Sequence, residues 1–121
     1  MDADWKRPKE IPSNTEMIKT NCGGLYLTLG FEDDKLIEVR ATIGKNGTCS
    51  NIMLDIICKL MSITLQSEMP RYKIVKKFRK QFSHEKDKDM TCDQDKFFHE
   101  EKEYQSCMDY IVKKVIKELD K

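Results

Sequence analysis

The residues of this chain with the most chemical capacity are five cysteines, and four of them stand where one segment gives way to another. Cys22 lies in "TNCGG", Cys49 in "NGTCSN", Cys92 in "MTCDQ" and Cys107 in "QSCMD". Thr48 and Ser106 are good helix N-caps, and Asp109, three residues after Ser106, comes close to a capping box. Cys49 and Cys107 therefore fall in first helical turns, where unbonded amides and the positive end of the helix dipole favour a thiolate. Gly23 and Gly24 allow close backbone approach beside Cys22. The polar surroundings of Cys92 are an odd place for a thiol used only as a packing group. Cys58, among Leu54, Ile57 and Met61, reads instead as a buried, inert thiol.

Four thiolates in a tetrahedron suit zinc, and an all-sulfur site also suits an iron–sulfur cluster. No CxxC pair is present, so the spacing alone leaves open a set of separate thiols, and His84 or His99 as substitute ligands. An odd cysteine count and a start without a secretory apolar stretch argue against a disulfide framework, and set the expectation of a reducing, cytoplasmic location.

A second candidate is an anion site at the turn formed by Gly44, Lys45, Asn46, Gly47 and Thr48. Backbone amides at a helix start, with a lysine adjacent, can hold a phosphate and so a nucleotide. The order of glycine and lysine is not that of a P-loop, and a tight turn that needs glycine explains the same residues. A net charge of +1 gives no general pull toward nucleic acid or membrane, and no apolar run has the length of a membrane span. The basic residues of 71–80 read as a solvated helix face. Nothing resembles a nucleophile–base pair, paired carboxylates or a dinucleotide fingerprint, so no catalytic residues are expected and the chain reads as a binding protein rather than an enzyme.

The elements that must position these groups follow from periodicity. A chain of 121 residues fits one domain with one modest core. Residues 1–19 read as a flexible N-terminal arm or edge strand, and 20–121 as the domain. From 24 to 44, Leu25, Leu27 and Leu29, then Ile37, Val39 and Ala41, alternate with polar or exposed types, which predicts two strands around "FEDDK". A third strand is expected near 17–19. From Cys49 a strongly apolar helix is predicted, with Ile52, Ile56, Leu60 and Ile63 facing the core and Met53, Ile57, Met61 and Leu65 widening that stripe. Pro70 opens a second helix with Ile74, Val75 and Phe78 inward. Residues 83–102 read mainly as loop, anchored by Phe97 and Phe98. The last helix, from Cys107, offers Ile111, Val112, Val115, Ile116 and Leu119. The fold class is α+β: a small antiparallel sheet of about three strands with helices on one face.

With these residues in view, the chain resembles the TSCPD domain family over roughly 20–120. That family occurs at the C-terminus of cobalamin-dependent ribonucleotide reductases and as small free-standing proteins. The resemblance rests on the glycine-flanked Cys22 before a hairpin, and on Gly44-Lys45-Asn46-Gly47 leading to Cys49. It rests also on Gln105-Ser106-Cys107-Met108-Asp109, which keeps the serine, cysteine and aspartate of the signature. The resemblance implies a further ligand matching Cys92, and hence zinc held by Cys22, Cys49, Cys92 and Cys107. A more distant similarity to iron–sulfur cluster assembly scaffolds implies the same sheet-and-helix plan and, as an alternative cofactor, an iron–sulfur cluster. The expected role is a non-catalytic interaction domain with a protein partner or further copies of itself, linked to nucleotide metabolism or to a nucleotide ligand.

Overall fold

A computed structural model describes residues 6–20, 23–44, 49–82 and 96–121, apart from the side chains of Cys49, Ser50 and Phe82. Three strands, β1 (Ser13–Thr20), β2 (Gly23–Glu32) and β3 (Lys35–Ile43), form an antiparallel sheet in the order β1-β2-β3. Helices α1 (Cys49–Leu65) and α2 (Arg71–Phe82) follow, then a short hairpin of β4 (Phe97–His99) and β5 (Lys102–Tyr104), then α3 (Cys107–Leu119). This is the expected α+β architecture, with the third strand lying before the hairpin and longer than the stretch 17–19.

The register places Ile18 opposite Leu25, Leu25 opposite Ile43, Leu27 opposite Ala41 and Leu29 opposite Val39. These side chains are buried and join residues of all three helices in one core. The alternate residues Tyr26, Arg40 and Thr42 face away, as the two-residue period requires. The β2–β3 turn holds Asp33 and Asp34 at φ 51° and 64°, the paired left-handed conformations of a two-residue hairpin loop whose twist matches the strands. Residues preceding β1 lie over the outer sheet face: Arg7 pairs with Glu38, and Ile11 sits against Gly30. A Cβ at Gly30 would come within 2.7 Å of Ile11 Cδ1, so no larger residue fits there without a shift.

The helix α1 is turned differently from the expectation. Leu54, Cys58, Met61 and Leu65 are buried, whereas Ile52, Ile56, Leu60 and Ile63 are exposed. The reason lies at the edge of the sheet. β3 is an edge strand, and its outward amides and carbonyls need partners when a helix covers them. α1 lies along that edge and supplies them from side chains. Asn51 Oδ1 accepts from the Ile43 amide at 2.9 Å, and Ser62 Oγ accepts from the Val39 amide at 3.0 Å. Gln66 Nε2, just past the helix, donates to the Ile37 carbonyl at 3.0 Å. Cys58 completes the row, its sulfur facing the Ala41 amide as acceptor. The helix is thus rotated by its polar seam rather than by its longest apolar stripe. Leaving a buried backbone group unpaired costs about 1–3 kcal/mol each, and four such groups outweigh the choice between two aliphatic stripes of similar size.

α2 buries Ile74, Val75 and Phe78 as its period demands, and the Pro70 carbonyl accepts from the Lys73 amide at its first turn. Its basic residues are mostly exposed, but Arg71 reaches the Leu36 carbonyl and Arg79 pairs with Asp120. α3 buries Ile111, Val112, Val115 and Ile116, together with Tyr110 and Asp109. Within the stretch read as loop, 97–104 forms the β4–β5 hairpin, with Glu100 and Glu101 in left-handed conformations at its tip. Phe97 is buried as an anchor; Phe98 is exposed.

Candidate metal centre

Of the four cysteines expected to hold a metal, Cys107 has a described side chain. Cys22 and Cys92 lie outside the described residues, as do Lys45, Asn46, Gly47 and Thr48 of the candidate anion turn. Cys49 opens α1, in agreement with its expected first-turn position, and its side chain is outside the description. Among the described residues no group of three or more His, Cys, Asp or Glu side chains is placed to hold a metal.

What is described are the supports on either side of these cysteines. Gly23, which follows Cys22, starts β2 with φ 119°, and Gly44, which opens the turn toward Cys49, ends β3 with φ 57°. The two are neighbours: a Cβ built on Gly23 would lie 3.6 Å from Gly44 Cα, and the Gly44 amide donates to the Gly24 carbonyl at 3.3 Å. Both conformations favour glycine, because a side chain there would crowd its own backbone. Two residues into α1, Asn51 ties that helix to Ile43, at the same end of the sheet. The chain on either side of Cys22 and of Cys49 is thereby drawn to one sheet end.

Cys107 is positioned by a cap close to a capping box, in which the Asp109 carboxylate reaches the amide before the N-cap. Ser106, in extended backbone, accepts from the Asp109 amide through Oγ at 3.1 Å. Asp109 Oδ2 in turn accepts from the Gln105 amide at 2.9 Å and from Lys113 Nζ at 3.1 Å. Ser106 and Asp109 are both buried, so two of the three signature residues kept in this chain hold the helix start that presents the third. Cys107 itself is half-buried and packs against the core. Replacing Ser106 with alanine should lower stability by about 1 kcal/mol, read from the denaturant midpoint at unchanged slope. A loss below a few tenths would mean the cap contributes little.

The fifth thiol, Cys58, is buried as expected. Burial pushes it up from an ordinary value of 9.0 to about 12, and the nearby Asp55 charge adds to the rise. A thiol so placed stays protonated at neutral pH and is a poor nucleophile.

His99, weighed as a substitute ligand, stands edge-on to the Tyr110 ring, with centroids 5.4 Å apart. It belongs to an aromatic group with Phe97, Tyr104 and Tyr110 that packs the small hairpin onto α3. Tyr110 donates its hydroxyl to Glu16 Oε1 at 2.7 Å, joining α3 to β1. Burial first, and then that hydrogen bond, push the Tyr110 hydroxyl upward; burial raises Tyr104 as well. His84 lies outside the described residues.

Between hairpin and α3 lies an open cleft of about 550 Å³, lined by Lys102, Lys113, Lys114 and Lys117 beside Tyr104 and Tyr110. Sequence reasoning missed it, since it needs the hairpin that was read as loop. Its lysines are opposed by Glu100 and Glu103 in the lining, while Asp109 pairs Lys113 and Glu16 lies 3.9 Å from Lys114. With acids matching bases, the cleft exerts no strong net pull on a phosphate.

A small α+β domain results, whose cysteine-bearing junctions stand at the ends of β2, α1 and α3. The TSCPD domain family matches over residues 3–119, nearly the whole chain, and the protein belongs to that family. No curated protein and no solved structure shows a match to it. Among the described residues no helix is long and apolar enough to cross a membrane.

Proposed function

We propose that this TSCPD chain is a non-catalytic binding domain closed by one zinc ion, with Cys22, Cys49, Cys92 and Cys107 as ligands. The observation that supports this most directly is the junction at one sheet end. There the glycines following Cys22 and leading to Cys49 touch, and α1 is pinned to β3 through Asn51. The capped start of α3 adds a preset position for Cys107. The donor set fits the ion: four thiols and no carboxylate suit zinc's preference for sulfur in closed structural sites. Bound there, zinc would supply cross-linking of distant chain segments and no reaction chemistry. The chain's own residues would set the ligand positions through the Gly23–Gly44 contact and the Ser106–Asp109 cap. Partners in this reading are a protein or further copies of the chain, and a nucleotide at residues 44–48 is the competing ligand.

The test is metal analysis of the untagged protein purified in reducing buffer, with Cys107→Ser prepared alongside. About one zinc per chain is expected for a single four-cysteine site, with most of it lost from the variant. Iron with inorganic sulfide would replace this reading with cluster carriage. Metal-free protein, folded in both forms, would sink it.

A further inference from the structure

The apolar stripe that α1 turns outward carries six of the ten large hydrophobic side chains exposed among the described residues. Ile52, Met53, Ile56, Ile57, Leu60 and Ile63 are each between 38% and 64% exposed. They lie on one side of the helix, opposite Leu54, Cys58 and Leu65, which are buried. Together they leave roughly 600 Å² open, at the top of the range of patches that monomers expose. We infer that this face is the interface of a homodimer, in which α1 packs antiparallel against α1 of a second copy. The inference does not depend on the metal, and it rests on the binding role proposed above, of whose possible partners it selects a further copy of the chain.

Three observations select a second copy as the occupant. The first is area. Doubling roughly 600 Å² reaches about 1,200 Å², the lower bound of stable interfaces, before any rim residue is added. The second is symmetry of charge. Asp55 and Lys59 flank the stripe on one side, bonded to each other at 2.8 Å and both more than half exposed. The stripe runs from 52 to 63, so its midpoint falls between 57 and 58, and Asp55 and Lys59 lie on either side of it. A two-fold axis passing beside the helix near residue 57 sets this flank against the same flank of the second copy in reverse order. Asp55 of one copy then meets Lys59 of the other, and the reverse. The third is the make-up of the segment between α2 and β4. Residues 83–95, "SHEKDKDMTCDQD", offer a single methionine as a large apolar side chain, too little to cover six.

Sedimentation equilibrium of the full chain in reducing buffer tests this. Wild type is expected at twice the chain mass at micromolar concentration. Ile56→Asp with Leu60→Asp, both at positions more than half exposed, should weaken association by on the order of 100-fold or more. Far-UV circular dichroism should remain that of wild type. Asp55→Lys alone should weaken the dimer by a smaller factor, and adding Lys59→Asp should restore it. A wild-type monomer, or a dimer indifferent to the two aspartates, would overturn the interface. Failure of the charge swap to restore association would overturn the antiparallel pairing.

Discussion

Between pH 9 and 12 the wild-type protein will lose a few kcal/mol of stability that a Cys58→Ser variant keeps. The Cys58 thiol is buried against Leu54 and Met61, with the Ala41 backbone as its polar partner, and is pushed from 9.0 up to about 12. In the folded chain it therefore stays protonated across this window, while in the unfolded chain it ionises from about pH 9 upward. The unfolded state then binds fewer protons, so stability falls as pH rises. The loss should be absent below pH 9, grow through the window, and level off above 12. A shift of this size corresponds to a few kcal/mol, since one pKa unit is about 1.4 kcal/mol. Tyr104 and Tyr110, also raised, add a loss of the same sign at higher pH in both proteins. The difference between the variants therefore isolates the thiol. Serine keeps an acceptor for the Ala41 backbone and does not titrate here. Parallel stability curves for the two proteins from pH 8 to 12 would show that Cys58 is not buried in the way described.

Leu65→Ala should cost about 2–5 kcal/mol, the range for removing a buried aliphatic side chain without full collapse of the cavity. Leu65 is 1% exposed and belongs to the stripe that α1 buries. Ile63→Ala, two residues earlier on the outward stripe, should change monomer stability by no more than about 0.5 kcal/mol. That comparison belongs at dilutions where the chain is dissociated, because association would couple to any change at Ile63. Urea denaturation of the pair decides which way the helix is turned. Equal costs, or a greater cost at Ile63, would restore the orientation that periodicity alone suggests.

That reversal marks where sequence reasoning stopped. The β2–β3 hairpin was legible because alternation is local and its turn lies between two such runs. The last helix was legible because Ser106, Asp109 and the apolar spacing all point to one start. α1 carries two aliphatic stripes of comparable size, and its hydrophobic pattern cannot choose between them. The deciding residues are Asn51, Cys58, Ser62 and Gln66, whose meaning appears only once β3 is known to be an edge strand. The β4–β5 hairpin escaped notice because Glu100 and Glu101 adopt left-handed conformations usually taken by asparagine or glycine. Of the candidate metal site, the placement of Cys49 and Cys107 at helix starts was legible. The proposed meeting of four thiols depends on distant segments, which spacing without a CxxC pair does not encode.

The seam of side chains along β3 also bears on how this protein behaves at high concentration. Sheets grow when an exposed strand offers its outward backbone groups to another chain, the first step toward fibrils and insoluble aggregates. At Ile37, Val39 and Ile43 those groups are already occupied by Gln66, Ser62 and Asn51. The sheet is therefore sealed against extension on that flank, and any recruited strand would have to enter beside β1. An aliphatic helix surface can then be displayed next to a sheet edge without the two together forming a template for polymerisation.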